Sequence, residues 1–203
     1  MSVVSHSSIP TGPKIIVANH PSGSDPFILL SVLKTKASVL IDEITFKVPI
    51  FGKYIKYIGH IPVNKKKGYI AFAKALKLLR RGKTVVIFVE GDFSPLPNVF
   101  LKAHTGAVRL ALATGSPIIP IGIGVKGENI KTISSIISGT TVFGKWYFNG
   151  PYAVTIGKPV ELTGDVENRA LVRNFSNNVM RKIRRLASES AVRIASRVYN
   201  KDK

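Results

Sequence analysis

An α/β fold, a single domain with a mostly parallel mixed sheet flanked by helices, is what the sequence predicts, and three observations carry it. The 203 residues are enough for one domain with a sizeable core. Thr84 to Val89 is an almost unbroken β-branched and apolar run, the pattern of a central strand covered on both faces. Strand-like runs alternate with helical periodicities along the chain, as crossovers between parallel strands require.

Lys14 to Ala18 is a short β-branched run that stops at Asn19-His20-Pro21, so it reads as a buried strand ending in a turn. Pro26 to Leu33 reads as a helix, its proline in the first turn where a missing N–H is harmless. His20 and Asp25 then share a strand-to-helix loop. Ser38 to Ile41 suggests another strand. Gly68 to Arg81 is a helix with Ile70, Ala73, Leu76 and Leu79 at helical spacing, ended by Gly82. The Thr84–Val89 strand runs into Glu90-Gly91-Asp92, followed by a helix from about Gly106 to Ala113 and an apolar strand from Pro117 to Ile123. Ile130 to Phe148 is apolar without clear period and holds the only tryptophan; it reads either as core or as a membrane-interface segment. Asp165 is placed to cap a C-terminal helix whose apolar stripe is Leu171, Phe175, Val179, Ile183, Leu186, Ile194 and Val198. The rest of that helix carries Arg169, Arg173, Arg181, Lys182, Arg184, Arg185, Arg193 and Arg197. The expected organisation is one domain over 1–203, with a core over about 14–160 and this basic amphipathic helix over about 165–199.

Thirty Lys plus Arg against 11 Asp plus Glu leave a formal charge of +19, enough to attract polyanions at physiological salt. An anionic lipid surface and nucleic acid both meet that requirement. The chain has no cysteine, which excludes disulfides, thiolate nucleophiles and cysteine metal sites. Met1 to Pro10 lacks the basic start and apolar run of a signal peptide, and charged residues punctuate every hydrophobic run before it could span a bilayer. A peripheral protein on the inner, cytoplasmic face of the membrane is the expectation.

The residues after the first strand carry the chemistry. A histidine followed five positions later by a carboxylate, across Pro21-Ser22-Gly23-Ser24, can accept a proton from a hydroxyl while the carboxylate fixes its tautomer. Glu90 follows the central strand, and in open α/β sheets ligands gather at the carboxyl ends of strands. The run Asn19-His20-Pro21-Ser22-Gly23-Ser24-Asp25 resembles the Asn-His-x4-Asp signature of the glycerolipid acyltransferase family, which includes the lysophosphatidate acyltransferases. Further blocks stand in the family's order. Pro49-Ile50-Phe51-Gly52 and Gly59-His60-Ile61-Pro62-Val63-Asn64-Lys65 are similar to its acceptor-phosphate stretch. Phe88-Val89-Glu90-Gly91-Asp92-Phe93-Ser94 is similar to Phe-Pro-Glu-Gly-Thr-Arg-Ser, and Ile118-Ile119-Pro120-Ile121 to the closing apolar-proline block. Thr105-Gly106-Ala107 sits where the family has Lys-x-Gly-Ala.

The resemblance, over roughly residues 14 to 160, implies a fold of the glycerolipid acyltransferase type and an O-acyltransferase. It implies that His20 is the general base and Asp25 its orienting partner, with a fatty acyl group moving from an acyl thioester to the hydroxyl of a lysophospholipid-type acceptor such as 1-acylglycerol 3-phosphate. Acyl-CoA or acyl carrier protein would be the co-substrate, with no other cofactor. Asn64, Lys65, Glu90, Gly91 and Pro120 are the implied substrate-binding residues. Two departures bear on the acceptor. Asn64-Lys65 replaces Asp-Arg, putting a point charge where a bidentate guanidinium would bind phosphate, and Asp92-Phe93 replaces Thr-Arg beside Glu90. Lys65, Lys66 and Lys67 together are an alternative phosphate contact.

Other readings are blander. His6, His60 and His104 have no partner at metal-ligand spacing, so structural or surface roles and no metal site are expected. Gly82-Lys83-Thr84 precedes a strand and reads as a helix-ending turn instead of a phosphate loop. Ser22 and Ser24 lack the Gly-x-Ser-x-Gly frame of a serine hydrolase. The C-terminal stripe reads first as packing on the domain and second as an interfacial helix. The competing functions are a non-catalytic lipid-binding protein and a nucleic-acid-binding basic protein; no nucleic-acid module is present, so no specific nucleic-acid partner is expected. Anionic membrane lipids and the acyl donor are the expected partners.

Overall fold

The computed structural model describes residues 1–33 and 35–199, the last three as backbone only. In chain order they form β1 (Ser2–Ser5), β2 (Lys14–Ala18), α1 (Asp25–Leu33), β3 (Ala37–Asp42), α2 (Phe51–Tyr57), β4 (Ile61–Val63), α3 (Gly68–Arg80), β5 (Thr84–Phe88), α4 (Gly106–Thr114), β6 (Ile118–Val125), β7 (Ile130–Ile137), β8 (Thr140–Tyr147), β9 (Tyr152–Ile156) and α5 (Arg169–Tyr199). Among the described residues a seven-stranded sheet runs β1-β9-β6-β2-β5-β3-β4, and β7 and β8 form a separate two-stranded ribbon. From β6 to β4 neighbouring strands are parallel; β9 is antiparallel to β6, and β1 parallel to β9. The mostly parallel mixed sheet expected from the sequence is what the chain builds.

Every residue of β2 is buried, because helices cover both faces of the sheet and alternate side chains enter different layers. Ile15, Val17, Val85 and Ile118 pack with α3, α4 and α5, through Leu79, Val108 and Ile183 among others. Ile16, Ala18, Val86 and Ile121 pack with Leu29 and Leu33 of α1. By this alternation His20 follows the face of Ile16 and Ala18, and Asn19 the other.

The helix α5 packs on the domain through Val172, Val179, Ile183, Leu186 and Ile194, all buried, while Leu171 and Phe175 are half-buried. Its backbone lies almost on β6. A Cβ at Gly122 would stand 2.0 Å from the Ala187 nitrogen, and one at Gly124 would stand 2.8 Å from that of Ala191. Ser190 closes the contact by donating to the Gly122 carbonyl at 2.9 Å. The expected cap is corrected: the helix starts at Arg169, and Asn168 accepts from the Leu171 N–H at 3.0 Å. Asp165 instead holds the preceding turn, accepting from the Glu167 N–H at 2.9 Å. The side chains of Arg197 and Val198 lie outside the described residues.

The sheet also begins before residue 14, since β1 pairs with β9 from Ser2 onward. The segment 130–148, read as core or interface, is an antiparallel ribbon whose outer part stands in solvent, with Ile136 77% and Phe143 69% exposed. Its turn is Ser138-Gly139, both with positive φ (48° and 77°), as a two-residue type I′ hairpin demands.

Candidate active site

The end of β2 places His20, and the turn into α1 places Asp25. His20 Nδ1 lies 2.9 Å from Asp25 Oδ2. The local reason is the turn itself: the Asp25 N–H donates to the Ser22 carbonyl, and the Ser22 N–H returns a bond to Asp25 Oδ2 at 2.8 Å. The Ser22 hydroxyl donates to Asp25 Oδ1 at 2.7 Å, and the Tyr152 hydroxyl donates to the same oxygen at 3.0 Å. The fully buried Asp25 carboxylate thus accepts three protein bonds besides the imidazole, which locks its orientation. Burial, with the Asp25 carboxylate beside it, pushes the Tyr152 phenol well above its ordinary range, so it remains a donor.

The imidazole is stacked on Phe88 (centroids 4.0 Å, 20° between planes) and lies 4.7 Å from the Phe93 ring. Its Nδ1 is engaged by Asp25 and the ring keeps 16% of its surface open, leaving Nε2 for a proton in transit. Asn19 pins the strand end: its amide donates to the Ile123 carbonyl at 2.9 Å and accepts from the Ile123 N–H at 2.8 Å.

Glu90, 2% exposed, lies behind His20. It accepts from the His20 N–H at 3.1 Å, the Ser94 hydroxyl at 2.6 Å and the Leu101 N–H at 2.6 Å. The carboxylate therefore ties three segments together, and the protein occupies it. Gly91, with φ +70°, admits a close neighbour, and that neighbour is the His104 ring: a Cβ would stand 2.7 Å from its Nε2. Pro120 is buried in β6 opposite Val17, its carbonyl accepting from the Gly157 N–H.

Asn64 is a turn residue. Its side-chain Oδ1 accepts from the Lys66 and Lys67 N–H groups, and its Nδ2 donates to Glu43 Oε1. Lys65 is paired with Asp92, two residues after Glu90, at 3.0 Å. That bond holds Lys65 above the ordinary lysine range. Burial pulls Asp92 upward, but the Lys65 ammonium and the Phe93 N–H outweigh it and leave the carboxyl below its ordinary range. Both side chains are more than half exposed, so the pair contributes at most about 1 kcal/mol.

His60 is buried and accepts the Val39 N–H on Nδ1 at 3.3 Å, while His6 pairs with Glu189. No group of three metal-ligating side chains occurs among the described residues. Ser22 is buried against Asp25, so its hydroxyl is a support and not a nucleophile. Sequence reasoning missed Tyr152, which lies 127 residues from Asp25 and announces itself by no motif, and the aromatic walls of Phe88 and Phe93.

The profile of the Acyltransferase family matches residues 2–124, more than half of the 203 residues. The chain belongs to the Acyltransferase family. Membership bears out the resemblance read from the ordered sequence blocks. Among curated Acyltransferase relatives, the 1-acyl-sn-glycerol-3-phosphate acyltransferase of Borreliella burgdorferi is 30% identical over 136 residues, 64% of this chain and 52% of that protein. A protein of Mycoplasma genitalium named "Probable 1-acyl-sn-glycerol-3-phosphate acyltransferase" is 30% identical over 123 residues, 57% of this chain and 45% of its own. The chain spans about half the length of these relatives. The crystal structure of the 1-acyl-sn-glycerophosphate acyltransferase PlsC from Thermotoga maritima superposes with a TM-score of 0.65 at 24% identity, covering 93% of this chain and 71% of that one. At that identity the likeness is one of fold.

Proposed function

We propose that this chain is an O-acyltransferase that moves a fatty acyl group from an acyl thioester, acyl-CoA or acyl carrier protein, to the hydroxyl of a lysophospholipid-type acceptor such as 1-acylglycerol 3-phosphate. The observation that carries it is the His20–Asp25 pair at 2.9 Å, with Asp25 held by Ser22 and Tyr152. His20 Nε2 takes the acceptor's hydroxyl proton as the oxygen attacks the thioester carbonyl, and Asp25 stabilises the imidazolium that results. Collapse of the tetrahedral intermediate breaks the C–S bond, and the leaving thiolate receives the proton from His20. Family membership and the names of the curated relatives support the same chemistry.

The acceptor's anionic end meets the lysines at the mouth, Lys65 together with Lys66 and Lys67. No helix among the described residues is long and apolar enough to cross a membrane. With a charge of +19, the reading is of a peripheral enzyme on anionic lipids at the inner face of the membrane. Thiol release from acyl-CoA and acyl-carrier donors, measured over a panel of lysophospholipids, tests the proposal. His20→Ala should lose about 10²–10⁴-fold in kcat while still binding the acceptor. Acceptor-dependent turnover that survives His20→Ala would remove the histidine from the mechanism.

A further inference from the structure

The ribbon β7–β8 pairs with no other strand among the described residues, yet its inner end is bonded to the catalytic turn. The Gly23 N–H donates to the Lys145 carbonyl at 2.6 Å, and the Tyr147 N–H donates to the Ser24 hydroxyl at 3.2 Å. Lys145 Nζ donates to the carbonyls of Ser94 and Pro95, at 2.8 Å each. The Trp146 ring lies against Gly23, where a Cβ would stand 3.6 Å from its carbons.

Outward from this base the composition changes in order. Trp146 pairs across the ribbon with Lys131 and stacks on Phe148. Farther out, Ile136 and Phe143 are 77% and 69% exposed. In antiparallel register Ser134 opposes Phe143 and Thr141 opposes Ile136, so these two apolar side chains share one face. The ribbon has no acidic residue from Ile130 to Tyr147. An isolated ribbon of this kind is marginal in water, and an exposed apolar strand is a liability unless something covers it.

We propose that the β7–β8 ribbon inserts its outer end into an anionic lipid bilayer and so seats the His20–Asp25 turn against the lipid surface. The apolar tip fits hydrocarbon, while Trp146 and the exposed Lys131 opposite it fit the headgroup layer. Phe143 stands three residue steps from Trp146, about 10 Å along the strand, and Ile136, paired with Thr141, lies farther out, so the ribbon enters at a slant that keeps both side chains within the roughly 5–10 Å an interfacial element reaches. The protein's positive charge complements the anionic surface. The inference deepens the acyltransferase reading and rests on it for the acceptor's identity; the bilayer contact itself does not depend on turnover.

Trp146, the only tryptophan, is the native probe. With vesicles of phosphatidylglycerol and phosphatidylethanolamine its emission should shift to the blue, and added salt should weaken binding. In Phe143→Trp/Trp146→Phe the emission should be quenched by lipids brominated along the acyl chain. Ile136→Asp/Phe143→Asp should bind these vesicles at least about ten-fold more weakly, or about 1.4 kcal/mol, with an unchanged circular dichroism spectrum. Its thiol release should fall with vesicle-borne acceptor and persist with a monomeric short-chain acceptor. Vesicle binding within two-fold of wild type, no quenching of the relocated tryptophan, or a changed oligomeric state without loss of vesicle binding would each overturn the proposal. Vesicle binding and quenching with no thiol release from any acceptor would instead leave the ribbon's role standing and sink the acyltransferase reading.

Discussion

Glu90→Gln separates a carboxylate that holds the His20 backbone from one that holds substrate. The side chain is 2% exposed and takes three donors: His20 N–H and Ser94 Oγ on one oxygen, Leu101 N–H on the other. A glutamine keeps one acceptor oxygen. Turned toward His20 and Ser94, it retains those bonds and faces its own NH₂ toward the Leu101 N–H. Turned the other way, it abandons the His20 N–H. The first orientation leaves one buried donor unmatched, a cost of about 1–3 kcal/mol. For a chain of this length that lowers Tm by roughly 2–4 °C per kcal/mol. Because His20 stays anchored, kcat should hold within about three-fold, whereas Glu90→Ala releases the His20 backbone and should cut kcat by about ten-fold or more. Neither change should move the acceptor KM by more than about two-fold, since a group that never meets substrate contributes no ground-state binding. Thermal melts and steady-state kinetics on the three proteins read these quantities. A raised acceptor KM in Glu90→Gln with kcat and Tm intact would refute the clamp and put Glu90 in the acceptor pocket.

Gly122→Ala should destabilise strongly, because its Cβ would stand 2.0 Å from the Ala187 nitrogen and 2.1 Å from the Leu186 carbonyl carbon. Relief requires α5 to lift off the sheet, costing about 3 kcal/mol or more, and a urea midpoint equal to wild type would show that the helix does not sit so close. His60 gives a pH dependence: burial holds its imidazole below the ordinary value of 6.5, so below that pH the unfolded chain binds the proton more readily. Stability should therefore fall as pH drops from about 6.5 toward the folded value, and protonation also removes the acceptor for the Val39 N–H. His60→Asn offers an oxygen in place of Nδ1; urea midpoints at pH 7.5 and 5.5 should show a smaller loss in the variant, and equal losses would exclude His60 as the cause.

What the sequence made legible was the part governed by local pattern. The runs at 14–18, 84–89 and 117–123 announce strands of the sheet, and Gly82 ends a helix with positive φ (74°). The His20–Asp25 pair was legible because one short turn brings both residues together. The ribbon was not, although its Ser138-Gly139 turn is a recognisable two-residue hairpin signal. Its exposed face carries apolar residues, so the in-and-out alternation that marks a half-buried strand is lost. The edge strand β1 depends on pairing with β9 across most of the chain, which no local window contains. Glu90 was legible as a residue near the site but not as a clamp, because Ser94 and Leu101 become its partners only when the segment after β5 folds back beneath His20.

The two departures from the family's blocks illustrate the same limit. Read along the chain, Asn64-Lys65 and Asp92-Phe93 are separate losses, one weakening a phosphate site and one adding a negative charge. In the fold they meet: Lys65 bonds to Asp92 at 3.0 Å, and Phe93 lies beside the His20 ring. The lysine is paired within the protein only at solvent-exposed positions, where an ion pair exchanges readily for another anion. The neighbouring Asp92 carboxylate is opposed by that ammonium instead of standing alone at the mouth. Phe93 adds an apolar wall where the family pattern has a cation, so the His20 imidazole has two aromatic rings against it, Phe88 and Phe93. In the proposed reaction the imidazole passes through a charged state, and Asp25, bonded to Nδ1, is the carboxylate placed to stabilise it. That explains why Asp25 itself is held by so many bonds, from Ser22 and from Tyr152 on a strand far along the chain.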